Sequence, residues 1–234
     1  VADVSIDPVA TPTNKTSLLL SGSREANAGI VVEANTAVTI GAVNYPTATR
    51  WTCQLDGLQE GSNRFTVAAT DDYGNPGSAI TTVVVDSVKP IGTLVINNHQ
   101  AQTNIVFVGL KLTASDNLGP IESMRFSNDG SSWSVWQDYR TSAQWSLPQG
   151  DGEKTVQAQL LDAAGNVSAA FSDTITLDTI GPVLTLDPLP ASTGTESQLL
   201  GGTSEAGATL SVLSPQAFEG AVSQNGSVWE CPLT

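Results

Sequence analysis

Histidine, cysteine and basic residues are scarce in this chain of 234 residues, and each scarcity excludes a class of function. With one histidine, His99, the chain cannot build a histidine-rich zinc site, and a Ser-His-Asp catalytic site is not expected. Two cysteines are too few for a disulfide scaffold. Nine Lys and Arg against 23 Asp and Glu give a net charge of −14, so we expect no nucleic-acid partner.

Long apolar runs and a leader segment are missing as well. No apolar run approaches the ~20 residues that a membrane span needs, so we expect no membrane insertion. The sequence shows no initiator Met, signal peptide or targeting segment. We therefore expect a mature or excised piece of a longer exported protein, located outside the cell or at the cell surface.

The composition that remains is typical of a β-rich fold. Only 14% of residues are charged, against ~25% in typical soluble domains. Hydrophobic residues make up 40% of the chain, which is enough to build packed cores. A low-charge chain rich in Thr and Val, with 21 Gly and 12 Pro, is typical of many short strands joined by turns.

An internal repeat organises the chain. The pattern D-x-x-G-N occurs at Asp71 and again at Asp162, and the pattern D-x-x-x-P occurs at Asp86 and at Asp178. The last two aspartates lie 92 residues apart, a period that suits one β-sandwich. In the D-x-x-G-N turn the Asp side chain can accept backbone N–H bonds, while Gly and Asn tolerate positive φ.

A second match joins the two ends of the chain. Residues 5–33 align without gaps to residues 185–213, and 11 of the 29 columns are identical. The pattern W-x-C-x-L also occurs at residues 51–55 and 229–233. We predict three modules, at residues 1–87, 88–179 and 180–234, the third lacking counterparts of about residues 57–87. Either the chain is cut from a longer array, or strands of another chain complete this module in an oligomer.

Alternating apolar residues predict the strands that carry these modules. Phe65, Val67 and Ala69 share one face, and so do Val156, Ala158 and Leu160. Val106 to Ala114 alternate in the same way, and no segment shows a convincing helical stripe. The Asn128-Asp129-Gly130 segment predicts a hairpin turn before Trp133.

The combined pattern resembles a known family. The run G-x-N-x-x-x-V-x-A-x-D-x-x-G-N, followed by V-x-V-D-x-x-x-P, resembles the bacterial immunoglobulin-like and fibronectin III-like repeats of large secreted or cell-surface proteins. The resemblance implies an all-β fold of tandem immunoglobulin-like β-sandwiches, the third incomplete. It also implies a stalk, spacer, adhesive module or accessory domain, and it supplies no catalytic residue. We expect no enzyme and no cofactor, with calcium as the candidate metal ion.

Acidic residues near the predicted module ends are the candidate calcium ligands. They are Asp71, Asp72, Asp86, Asp116, Asp162 and Asp178. Carboxylates from two modules could share one calcium ion and stiffen the joint between them. The alternative interpretation is that these aspartates cap turns or carry solvated charge.

Aromatic residues of the second module are the candidate ligands for a glycan. Trp133, Trp136, Tyr139 and Trp145 lie within 13 residues of one another. An exposed aromatic shelf could stack on sugar rings, and Trp136 and Tyr139 are the better candidates because they lack counterparts in the other modules. The alternative places Trp133 and Trp145 in the core, with the other two rings covering a sheet edge.

The two cysteines occupy one repeat position, since Cys53 and Cys231 both belong to W-x-C-x-L. We expect buried strand thiols, with intermolecular pairing as the alternative. His99 lies in the polar segment Asn97–Gln100 and is expected at the surface.

These observations leave three functional hypotheses. The first is a non-catalytic extracellular stalk or adhesive region of a bacterial surface protein, with a protein or glycan partner. The second is an accessory carbohydrate-binding region of a secreted polysaccharide-active enzyme. The third is a module completed by strand donation from a partner chain.

Overall fold

The computed structural model describes residues 1–189, 197–213 and 220–233. The fold is all-β, and the described residues contain no helix apart from a three-residue turn. Up to Val85 the strands are β1 (Ser17–Ser23), β2 (Gly29–Ala34), β3 (Thr39–Thr47), β4 (Arg50–Asp56), β5 (Gly61–Thr70) and β6 (Pro76–Val85). They form two three-stranded sheets, in the orders β1-β4-β3 and β2-β5-β6.

Eight further strands lie between Ile91 and Leu177. They are β7 (Ile91–Ile96), β8 (Gln102–Thr103), β9 (Phe107–Ser115), β10 (Ile121–Ser127), β11 (Gln137–Asp138), β12 (Ser142–Ser146), β13 (Gly152–Asp162) and β14 (Phe171–Leu177). One sheet has the order β12-β9-β7, and the other has the order β11-β10-β13-β14-β8. A third group of strands, β15 (Gln198–Thr203), β16 (Ser223–Asn225) and β17 (Val228–Leu233), forms one sheet in the order β15-β17-β16.

Each pair of sheets encloses its own hydrophobic core. In the first core the alternating residues Phe65, Val67 and Ala69 of β5 are buried, each at most 1% exposed. In the second core the same is true of Val156, Ala158 and Leu160 on β13. The period-two pattern therefore predicted the inward face of both strands correctly, because burying one face is what fixes strand register.

The repeat between the two ends of the chain extends to hydrogen-bond register. Leu20 pairs with Cys53 and Gly22 with Trp51, while Leu200 pairs with Cys231 and Gly202 with Trp229. A Cβ atom on Gly22 would lie 1.9 Å from the Ser5 carbonyl oxygen, and one on Gly202 would lie 2.0 Å from the Thr185 carbonyl oxygen. Glycine recurs at this position because the preceding segment crosses the strand too closely for any side chain.

The chain divides into two compact units, Val1–Asp178 and Thr179–Thr234. The predicted boundary after residue 87 lies within the first unit, so the division into three modules stays a prediction. Completion of the third module by another chain also stays a prediction. A search of the described residues for a helix long and apolar enough to cross a membrane finds none.

Candidate metal centre

Three aspartates meet where the second pair of sheets follows the first. Asp86 comes directly after β6, Asp116 comes directly after β9, and Asp162 is the last residue of β13. One carboxylate oxygen from each lies within 4.8 Å of the other two. One carboxylate from the first pair of sheets and two from the second therefore lie close together.

Burial makes this cluster unusual for acidic residues. Asp86 and Asp162 are each 1% exposed, and Asp116 is half-buried. The Oδ2 atom of Asp116 accepts hydrogen bonds from the N–H groups of Leu118 (3.2 Å) and Gly119 (3.3 Å). Its Oδ1 atom is buried without a hydrogen-bond partner among the described residues, which leaves a desolvated acceptor facing other carboxylates.

The D-x-x-G-N turn positions Asp162. Its Oδ1 atom accepts the N–H groups of Ala164 (2.9 Å) and Asn166 (2.8 Å), and its Oδ2 atom accepts the side-chain amide of Asn166 (2.9 Å). The same amide of Asn166 donates to the backbone carbonyl of Asp86 (2.8 Å). The turn predicted from the sequence is therefore present, and it also ties Asp162 to the segment that carries Asp86.

Glu60 belongs to this region, although sequence reasoning did not select it. Its Oε2 atom accepts the N–H (2.9 Å) and hydroxyl (2.7 Å) groups of Ser87, and its Oε1 atom accepts the side-chain amide of Asn117 (2.8 Å). Glu60 precedes β5 and Asn117 follows β9, so this one carboxylate bridges the two pairs of sheets. The repeated motifs could not predict the role of Glu60, because its partner Asn117 lies 57 residues away.

The electrostatics of the cluster favour a cation. Burial raises the pKa of Asp86 above its ordinary value, and the negative charges of Asp116 and Asp162 raise it further. Hydrogen bonds from the side chain and backbone of Ser87 lower the pKa of Glu60 instead. A buried carboxylate beside other carboxylates is disfavoured until a positive charge or a proton neutralises it.

Oxygen ligands of this kind suit a hard divalent cation. Calcium takes 6–8 oxygens at about 2.3–2.6 Å from carboxylates, carbonyls and water. Asp86, Asp116 and Asp162 would supply the carboxylates, and the geometry leaves the remaining positions to carbonyls or water.

The other predicted ligands lie elsewhere. Asp71 and Asp72 occupy the turn between β5 and β6, and the ten-residue strand β6 separates that turn from Asp86 by roughly 30 Å. Asp178 follows β14 and donates its N–H to the Thr103 carbonyl (2.9 Å), as Asp86 does to Thr13 (2.9 Å). Asp178 is exposed, whereas Asp86 is buried.

The candidate glycan residues have different environments. Tyr139 is partly buried against the second core. Trp136 instead faces Arg125, whose guanidinium carbon lies 4.4 Å from its ring centroid and 4.9 Å from that of Trp133. Arg125 thus lies against both indoles in contacts of the cation–π kind, and glycan stacking on Trp136 and Tyr139 stays a prediction.

Of the two tryptophans that the alternative interpretation placed in the core, one packs against the core and the other does not. Trp145 is partly buried against the second core, with its ring centroid 5.4 Å from that of Phe126 and its Nε1–H bonded to the Oδ1 atom of Asn128 (2.8 Å). Trp133 stacks on Arg125 and lies outside that core, so its placement in the core was wrong. The hairpin turn predicted before Trp133 is present, since the Ser134 N–H donates to the Phe126 carbonyl (2.9 Å); the return strand β11 then starts at Gln137.

Both cysteines are buried free thiols, as the packing interpretation expected. The Cys53 thiol donates to the Gly41 carbonyl (3.3 Å), and the Cys231 thiol donates to the Gly220 carbonyl (3.4 Å). Burial raises the pKa of the Cys53 thiol, which disfavours the reactive thiolate that a disulfide exchange needs.

The known proteins that resemble this chain are solved structures of low sequence identity. No family model and no curated protein matches the chain. Among solved structures, the fibronectin(III)-like modules of Clostridium thermocellum CbhA are 20% identical, over 75% of this chain and 94% of that chain, with a TM-score of 0.44. A 1.5-MDa bacterial ice-binding adhesin is 16% identical over 99% and 86%, with a TM-score of 0.46.

A marsupial T cell receptor reaches a TM-score of 0.48 at 8% identity, over 100% of this chain and 92% of that chain. The matches thus include the tandem immunoglobulin-like and fibronectin III-like modules of bacterial proteins that the repeat motifs predicted. At these identities and scores the likeness concerns the fold alone. The described chain is all-β, and two of its pairs of sheets each enclose a core, as the sandwich prediction requires.

Proposed function

We propose that this chain is a non-catalytic extracellular spacer whose joint at residues 86–90 is stiffened by calcium. The observation that carries the proposal is the meeting of Asp86, Asp116 and Asp162 from two adjacent pairs of sheets. An ion bound by all three would attach the end of β6 to the ends of β9 and β13. A spacer at a cell surface gains reach from such a joint, because a stiff connection keeps successive sandwiches extended.

Contacts around the joint support the same role. The N–H groups of Asp86 and Ser87 donate to the Thr13 carbonyl and the Glu60 carboxylate, and the side-chain amide of Asn166, in the turn after β13, donates to the Asp86 carbonyl. The segment is therefore ordered by hydrogen bonds on both sides. Repulsion among the three carboxylates disfavours this ordered segment, and a bound calcium ion would remove the repulsion.

Calcium binding is tested on the full chain by isothermal titration calorimetry and thermal melting after chelation. We expect saturable binding and, at a calcium concentration 100 times the dissociation constant, a rise in melting temperature of about 5–10 °C. Asp116→Asn keeps the turn acceptor but removes one charge, so it should weaken binding strongly. Asp72→Asn, which makes the same charge change at an exposed position far from the cluster, is the matched control.

Stiffening is tested separately by small-angle X-ray scattering of the chain with calcium and with chelator. The proposal expects a narrower range of dimensions with calcium. An absence of calcium heat and of any melting shift, or an Asp116→Asn variant that binds as well as the parent chain, overturns the calcium joint.

A further inference from the structure

A left-handed turn stands at the end of β7. Asn97, Asn98 and His99 have φ angles of 44°, 54° and 66°, a region that non-glycine residues rarely adopt even singly. The surrounding structure holds the turn in place. The Asn97 Oδ1 atom accepts the Gly109 N–H (2.8 Å), and the Ile96 N–H, just before the turn, donates to Asp173 Oδ2 (2.8 Å).

Three open clefts surround this turn, and Asn98 lines all of them. The amide cleft, of about 720 Å³, is lined by eight residues, of which five carry a side-chain amide: Asn97, Asn98, Gln100, Gln102 and Asn104. The central cleft, of about 370 Å³, runs from Asn97 across Gly109 to Gln144. The cationic cleft, of about 410 Å³, contains His99 and Lys111 with Thr93 and Thr113. Each volume falls in the range of ~300–1,000 Å³ that small-ligand sites occupy.

Lys111 joins two of these clefts. It lines both the central and the cationic cleft, and its strand β9 is the middle strand of its sheet. In the register of that sheet it lies between Ser142 on β12 and Val95 on β7. Among the described residues, no carboxylate lines these two clefts, whereas Asp178 lines the amide cleft. In a chain of net charge −14, Lys111 is therefore a cation without acidic neighbours among the described residues of these two cleft walls.

The lining chemistry points to a sugar that carries a carboxylate. Side-chain amides and hydroxyls donate and accept hydrogen bonds, as the hydroxyl groups of sugars require. A lysine ammonium binds a carboxylate through charge-assisted hydrogen bonds, and the imidazole of His99 adds a second nitrogen on the same side. A heavily charged polyanion would be repelled by the acidic chain as a whole, whereas one carboxylate among neutral sugars would not.

We propose that the clefts around Asn97–His99 bind an oligosaccharide with a single carboxylated sugar, its acidic group on Lys111 and His99 and its neutral sugars along the side-chain amides. This site is separate from the Arg125 stack, and it goes beyond the spacer role. It does not require calcium at the joint, so the two proposals fail independently.

The test uses two pairs of matched oligosaccharides on the full chain, with calcium and with chelator. Sialyllactose is compared with lactose, and a glucuronic acid-substituted xylotriose with plain xylotriose. Nuclear magnetic resonance follows the imidazole signals of His99, the single histidine, and the side-chain amide signals of Asn97 and Asn98. We expect these signals to shift with at least one acidic sugar and to shift little with its neutral partner. The acidic sugar that binds identifies the source of the carboxylate.

Two variants test the assignment from different directions. Lys111→Gln should weaken binding of the acidic sugar about tenfold, while Lys15→Gln, an exposed position outside the clefts, should leave it unchanged. Gly109→Met fills the central cleft without removing a polar group, because a Cβ atom there would lie 3.7 Å from Asn97 Oδ1 and 3.8 Å from Gln144 Nε2. Signals that respond to neither acidic sugar, or an unchanged affinity in both Lys111→Gln and Gly109→Met, overturn the proposal.

Discussion

The same five-residue turn occurs twice in this protein, in two different surroundings. At residues 71–75 the Asp71 carboxylate accepts the N–H groups of Tyr73 (2.9 Å) and Asn75 (2.8 Å) and the amide of Asn75 (2.7 Å), and the turn is largely exposed. At residues 162–166 the same bonds form, but Asp162 and Asn166 are buried.

The difference shows how one local motif can both close a strand connection and contribute to a candidate ion site. In both turns the hydrogen bonds close the connection between two strands. Only the second turn lies against a neighbouring sandwich, where the Asn166 amide also holds the Asp86 carbonyl and the Asp162 carboxylate faces two others. Burial, and not the motif, turns a strand connection into part of a candidate ion site.

The largest expected effect comes from removing the aspartate in each turn. Asp162→Ala removes the acceptor of the half-buried Ala164 N–H, of the buried Asn166 N–H and of one hydrogen bond from the Asn166 amide, so it should lower the free energy of unfolding by about 3 kcal/mol. Asp71→Ala should cost less than half as much, because water replaces the lost bonds there. Urea denaturation in chelator measures both. Equal losses of unfolding free energy in the two variants would mean that burial at residues 162–166 does not strengthen the hydrogen bonds of this turn.

A smaller effect is expected from the asparagines. Asn166→Ala removes the donor to both Asp162 and Asp86 and should lower the free energy of unfolding by about 1.5 kcal/mol. Asn75→Ala removes an exposed bond to Asp71 alone and serves as the matched control. Because Asn166 also ties the joint, its loss should make the scattering dimensions of the chain less sensitive to calcium. A variant with parental stability and parental calcium response contradicts this role.

The smallest effect is a difference in titration. Hydrogen bonds from Asn75 lower the pKa of Asp71, so its contribution to stability is present above the ordinary pKa and is lost as the pH falls through the lowered value. Burial and neighbouring charges raise the pKa of Asp86, so its contribution is present at low pH and is lost as the pH rises through the raised value. In chelator, as the pH rises, the carboxyl carbon resonance of Asp71 should titrate before that of Asp86. The Asp86→Asn variant should lose the second of these two titrations.

Sequence periodicity predicted most of the fold, because strand faces and turns are local. The alternation at Phe65, Val67 and Ala69 and the pattern at Asp162 both follow from rules that act over a few residues. The candidate ion site was predictable only in part. Asp86 and Asp162 belong to repeated motifs, but no local rule distinguishes them from Asp71 and Asp178, because their meeting depends on how one sandwich follows another.

Two other outcomes show the same limit. Glu60 was missed because its partners Ser87 and Asn117 lie 27 and 57 residues away, and its own surroundings carry no signal. The alternative that placed Trp133 in the core did not foresee Arg125, which gives its indole a partner outside the core. Both depend on side chains brought together by tertiary structure.

For the proposed spacer, the buried thiols have a consequence under tension. Cys53 lies on β4 and Cys231 on β17, each the middle strand of its sheet. Tension that peels away an edge strand would uncover the sulfur before the whole sandwich is lost, and an alkylating reagent in the solvent would then mark it permanently. Alkylation of Cys53 would thus report opening of the sheet that contains β4, and alkylation of Cys231 would report opening of the sheet that contains β17.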